Sequence, residues 1–136
     1  MSTAKCFADT NVAIYALDAD AAKRTKALAI LDGRPFVSTQ VVNEYLNVLL
    51  VKRRLDRTAA HELARALMAA CEVVSVTAGI TDLAMNIGER YQLSHWDSLI
   101  VAASLRRWRK TARRCIPRTC RIGRSLRADL QCRILL

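Results

Sequence analysis

Asp9, Glu44 and Asp97 are the residues of this chain whose type and setting could do chemistry. Each stands where an apolar strand or helix begins or ends, within FADTNVAIYALD, VSTQVVNEYLNVL and LSHWDSLIVAAS. Carboxylates gathered at one place supply the oxygen ligands that Mg²⁺ or Mn²⁺ prefers over His or Cys. Two such ions can activate a water and stabilise the leaving oxygen in phosphodiester cleavage.

Taken singly, each acid also has a plainer reading. Asp9 closes a short apolar run and precedes a helix, so it could serve only as a helix cap, although a strand that stops on Asp also puts the carboxylate at the ligand crevice of an open α/β sheet. Glu44 sits on a helix between Val41 and Val48 and could point to solvent beside Asn43 and Asn47. Pointing inward, it would need a cation or hydrogen bonds, because burying an unpaired carboxylate costs several kcal/mol. Asp97, at the first turn of an apolar helix, could stabilise that helix by about 0.3 to 1 kcal/mol through the helix dipole.

The elements that must position these acids alternate between strand and helix. Ala4 to Ala8 reads as the first strand, and Val12 to Leu17 as a helix that Thr10 or Asn11 can cap. A second helix spans Ala19 to Leu31, Asp32-Gly33-Arg34-Pro35 breaks the chain, and Phe36 and Val37 begin a second strand. Ser38 or Thr39 caps a helix that runs through Val51 and ends in Lys52-Arg53-Arg54, basic residues suited to a helix carboxyl terminus. Thr58 caps a helix over Ala59 to Ala70, and Glu72 to Val76 is β-branched and alternating, a third strand. Thr77 opens a helix to about Gly88, Tyr91 to His95 is a loop, and Asp97 starts a last helix rich in Leu99, Ile100 and Val101. The order predicts right-handed crossovers and a parallel sheet in an α/β fold.

A chain of 136 residues with 52% hydrophobic content suits one domain with a two- or three-layer core. It has no long apolar run and no charged-then-apolar leader, so neither a membrane span nor a signal peptide is expected, and a cytoplasmic location is. The cysteines, Cys6, Cys71, Cys115, Cys120 and Cys132, lack zinc-like pairing and read as free thiols in a reducing compartment. His61 is expected exposed on a helix, and His95 in a loop or supporting the site from behind its ligands, with neither expected as a general base. The net charge of +10 belongs entirely to the last part of the chain: residues 1 to 105 hold eleven Lys or Arg against eleven Asp or Glu, and residues 106 to 136 hold eleven basic residues against Asp129 alone.

FADTNVAIYALD, VSTQVVNEYLNVL and YQLSHWDSLIVAAS together resemble the PIN-domain family, in particular the ribonuclease toxins of bacterial type II toxin–antitoxin pairs, over residues 4 to 104. The resemblance implies a three-layer α/β/α fold with a central parallel sheet. It implies Asp9, Glu44 and Asp97 as metal ligands, with Thr10 and Asn11 supporting the site through side-chain hydrogen bonds. It also implies Mg²⁺-dependent (or Mn²⁺-dependent) cleavage of single-stranded RNA, an antitoxin partner that blocks the site, and a homodimer.

After Ser104 the likeness ends. Family members continue with a strand that closes on a fourth acid and then a last strand, whereas this chain reads LRRWRKTARRCIPRTCRIGRSLRADLQCRILL, with neither periodicity sustained. If each codon's third base is joined to the first two bases of the next, Leu105 to Thr111 permits Ala-Ala-Leu-Ala-Glu-Asp-Gly and Cys115 to Cys120 permits Tyr-Thr-Glu-Asp-Leu. Arg124 to Leu135 similarly permits Val-Phe-Glu-Gly-Arg-Leu-Ala-Val-Pro-Asn-Pro. These strings look like the missing family ending, so residues 105–136 read as a frameshift product following a domain at 1–104. The tail is then expected to be poorly ordered, the last strands missing or distorted, and the Leu99 to Val101 helix partly uncovered. Two other readings stay open. One is a non-catalytic RNA- or partner-binding protein whose basic tail makes salt-dependent phosphate contacts, with Trp108 stacking on a base. The other is an inactive remnant.

Overall fold

A computed structural model describes residues 6–112 and 134–135 of the chain. The described residues up to Val73, joined by Ile134 and Leu135, make one compact unit, and those from Val74 to Ala112 belong to a second.

The first unit is an α/β arrangement around very short strands. β1 (Phe7–Ala8) leads through Asp9 into α1 (Thr10–Tyr15), followed by α2 (Ala21–Asp32), β2 (Phe36–Ser38), α3 (Thr39–Asn47), α4 (Arg57–Ala70) and β3 (Glu72–Val74). The last turns of α3 widen into a π-helical stretch, Val48–Lys52. β4 (Ile134–Leu135) completes a sheet of order β3-β2-β1-β4, in which β1 runs parallel to both neighbours, with Phe7 opposite Phe36 and opposite Ile134. The parallel sheet and alternating helices are those the sequence predicts, and the position beyond β1 is held by a strand of only two residues.

Burial follows the helical period. On α3 the residues Val41, Val42, Tyr45 and, one turn on, Leu49 are buried, and they join Ala8, Val12, Ala13, Val37, Ala60 and Leu67 in one apolar cluster. Spacing of three and four residues puts these on one helix face, and about 25 cal/mol is gained per Å² of apolar surface removed from water. Cys71 is 4% exposed at the edge of this cluster, and burial, with the Cys6 thiol adding to it, pushes its pKa up to about 11. Cys6 and Cys71 are both free thiols, and Cys115, Cys120 and Cys132 lie outside the described residues.

Several helix starts differ from the sequence reading. Asp20 caps α2 by accepting from the Ala22 and Lys23 amides, so the helix begins at Ala21 rather than at Ala19. Asp56 caps α4 through the Ala59 amide, so Thr58 lies inside the helix rather than at its start. Where several capping residues stand close together, the one whose backbone stays extended takes the role, and both Asp20 and Asp56 have extended φ/ψ.

The second unit is a helical hairpin. α5 (Ala78–Tyr91) is capped by Thr77 as expected, but it runs past Gly88 and stops at Gln92 in the left-handed conformation, a common helix ending. α6 (His95–Ala112) packs along α5, begins two residues before Asp97 and passes through Ser104 without a break. Ser98 is fully buried against α5, and a Cβ on Gly88 would stand 3.1 Å from its Oγ, so a larger residue there would require the serine side chain to give way slightly. Leu99, Ile100 and Val101 are all buried, which corrects the expectation of an uncovered face: α5 lies along this helix. His61 is exposed on α4, and His95 is the first residue of α6, its ring beside Trp96, rather than part of a loop.

Candidate active site

Asp9 stands at the junction of β1 and α1 with an extended backbone (φ −83°, ψ 167°), and its carbonyl accepts from Val12 to close the first turn. Its side chain does not cap in the ordinary way. A capping carboxylate bonds the second or third amide of the helix, whereas Asp9 Oδ1 accepts from the first, Thr10 N–H, at 2.6 Å, and Oδ2 accepts from Asn11 Nδ2 at 3.3 Å.

Thr10 turns the other way as well. It is 7% exposed, and its hydroxyl donates to Glu44 Oε2 at 2.7 Å across 34 positions of sequence. Glu44 is brought there by α3, whose start is fixed by buried Ser38 accepting from the Val41 amide at 3.2 Å. With Val41, Val42 and Tyr45 directed into the core, Glu44 falls at the border of the buried face and is half-buried, not on the solvent side with exposed Asn43 and Asn47. Its second oxygen, Oε1, accepts from Gln40 Nε2 at 3.1 Å. Thr10 therefore bridges Asp9 through its amide and Glu44 through its hydroxyl.

Among the described residues, the donors to these two carboxylates, the Thr10 amide and hydroxyl and the Asn11 and Gln40 amides, are uncharged. Two half-buried negative charges held by neutral groups attract a cation strongly, since uncompensated carboxylates away from bulk water are costly. The donor chemistry fits a hard divalent ion: each carboxylate oxygen has two lone pairs and spends one on its hydrogen bond, which leaves the others for a metal.

Asp97 belongs to the second unit and has local partners. Ser94 Oγ accepts from the Asp97 amide at 3.1 Å and donates its proton to Asp97 Oδ2 at 2.7 Å, a reciprocal arrangement that starts α6. Asp97 is exposed. Among the described residues no three His, Cys, Asp or Glu side chains form a group able to hold a metal ion, so within the first unit the acids stand as a pair, Asp9 and Glu44.

Two residues of these networks escape a reading based on acids alone. Gln40 precedes Glu44 by one helical turn, a spacing that brings side chains together, and in STQVVNE it looks like an ordinary polar helix position. Ser94 is signalled by the Ser-x-x-Asp pattern ahead of an apolar helix. No helix among the described residues is long and apolar enough to cross a membrane.

No curated protein gives a significant match to the chain. PIN domains are generally metal-dependent nucleases, and a pair of linked carboxylates opening onto a strand end suits that chemistry. The PIN domain model matches residues 6–108, a span that takes in both units and all three acids, and the chain thus belongs to the PIN-domain family.

Proposed function

We propose that the chain derives from a Mg²⁺-dependent endoribonuclease of the toxin type, which cleaves single-stranded RNA and is held in check by a cognate antitoxin. The observation that supports it most is the Thr10 bridge, which ties two carboxylates from distant segments together through uncharged donors. Asp9 and Glu44 would hold the ion, Mg²⁺ or Mn²⁺, with Asp97 as a further ligand on the strength of the family motif Trp-Asp-Ser-Leu-Ile. Thr10 and Asn11 orient the ligands. Such an ion supplies a water of lowered pKa and offsets the charge of the phosphodiester. The family's homodimer and a cytoplasmic location belong to the same reading.

The residues beyond Ser104 are, on this proposal, a frameshift product, and the activity of the chain as it stands is impaired because the family's fourth acid is missing. The alternative-frame strings in both halves of the tail support this. A gene whose codons at Cys115 to Thr119 do not spell Tyr-Thr-Glu-Asp in the shifted frame would end it.

The test compares this chain, its frame-restored counterpart and Asp9→Asn in that counterpart for Mg²⁺-dependent RNA cleavage. The restored chain is expected to cleave and the Asp9→Asn variant to lose more than about a hundredfold, since a metal ligand matters more than the surrounding residues whose loss costs 10–100-fold. Cleavage untouched by Asp9→Asn would refute the mechanism. RNA binding without cleavage, with a steep salt dependence that vanishes on truncation after Ser104, would favour the binding protein instead.

A further inference from the structure

We infer that Gln40 is a positioning residue for Glu44, fixing the plane of its carboxylate for the metal; this rests on the metal-dependent reading above. A glutamate's terminal torsion is soft, with a broad and roughly two-fold profile. One hydrogen bond leaves the carboxylate free to swing about the bonded oxygen. Among the described residues Glu44 has two, one on each oxygen and from different elements: Thr10 Oγ1 reaches Oε2 from the β1–α1 junction at 2.7 Å, and Gln40 Nε2 reaches Oε1 from the preceding turn of α3 at 3.1 Å. The pair of donors clamps the group at both ends.

The chemistry of the pair sets the orientation of the amide. An ionised carboxylate only accepts, so Gln40 must present its NH₂ to Glu44. That donor is neutral, unlike Lys or Arg, and so steadies the carboxylate without neutralising the charge that draws the metal. Gln40 is itself half-buried at the second position of α3, next to the turn that Ser38 caps, so its own backbone is held. An exposed Gln–Glu pair on a helix would merely add about 0.2 to 0.5 kcal/mol of helix stability. What sets this one apart is the third participant, Thr10, from another element.

The experiment measures Mn²⁺ affinity by electron paramagnetic resonance of the free ion, on the full chain and its Gln40→Met, Gln40→Ala and Glu44→Gln variants. Met keeps the length and helix preference of Gln without a donor. Glu44→Gln is expected to abolish binding, and Gln40→Met and Gln40→Ala to weaken it by roughly tenfold, as loss of a group behind a metal ligand does. Thermal unfolding of the metal-free proteins is expected to differ little between Gln40→Met and the parent, which separates positioning from folding. Parent-like Mn²⁺ affinity in a folded Gln40→Met protein, with binding still lost in Glu44→Gln, would overturn the role of Gln40 alone. A parent that binds no Mn²⁺ would overturn the metal reading and this inference with it.

Discussion

Asp9 in the first unit and Asp97 in the second both stand at the opening of a helix, and their hydrogen bonds set them apart. Asp97 is answered by Ser94, three positions away, in a closed exchange between a hydroxyl, an amide and a carboxylate. Asp9 spends one oxygen on the Thr10 amide and the other on Asn11, and Thr10 then reaches Glu44 on a different element. The first arrangement is complete within one turn of chain and exists wherever that helix forms. The second exists only once β1 and α3 have been brought together by the core, so its polar groups report tertiary structure. An acid before a helix is therefore informative about function when its neighbours reach beyond the helix, and uninformative when they do not.

That contrast can be broken first at Thr10. Replacing its hydroxyl by a methyl of similar shape, Thr10→Val, is expected to lower the stability of the metal-free protein by about 2 kcal/mol, the range for a hydrogen bond to a charged group, while Thr10→Ser is expected to keep most of it. Urea unfolding measures both, and equal stabilities for Val and Ser would show that the bridge contributes nothing. The corresponding change in the second unit, Ser94→Ala, is expected to cost about 1 kcal/mol, the usual loss of a helix cap. Its effect should appear as faster amide exchange at the start of α6 with α3 unaltered; slower or unchanged exchange there would contradict the reciprocal bond.

An effect that depends on pH comes from Cys71. Its folded-state pKa lies at about 11 against an ordinary value of 9.0 because burial disfavours the thiolate. The folded form thus binds the proton more tightly, and the stability this confers is fully present below about pH 9 and lost as pH rises toward 11. Unfolding followed between pH 8 and 11 should show a decline that Cys71→Ala flattens, and the two curves running parallel would mean that the thiol is not what titrates.

Much of this architecture is written locally in the chain. The alternation of apolar strands with helices, the Ser38 and Thr77 caps, and the apolar face of α3 each follow from residues a few positions apart. The caps of α2 and α4 did not, because Asp20 and Asp56 each compete with polar neighbours and the choice is made by backbone conformation. At the site, the acid types are visible in sequence but the inward turn of Glu44 is not: Asn43 and Asn47 beside it are just as compatible with an exposed face, and only the Thr10 contact decides. Gln40 stayed hidden for the related reason that its role comes entirely from what Glu44 is doing.

β1 draws its neighbours from well-separated parts of the chain, Phe36 on one side and the far more distant Ile134 on the other. Closing so large a loop carries an entropic cost that grows with the intervening length, and contacts of this kind form late. The α5–α6 hairpin, contiguous in sequence, has no such handicap. During synthesis the hairpin is therefore free to assemble while the sheet still waits for β4, and a ribosome must translate as far as Leu135 before β1 is flanked on both sides.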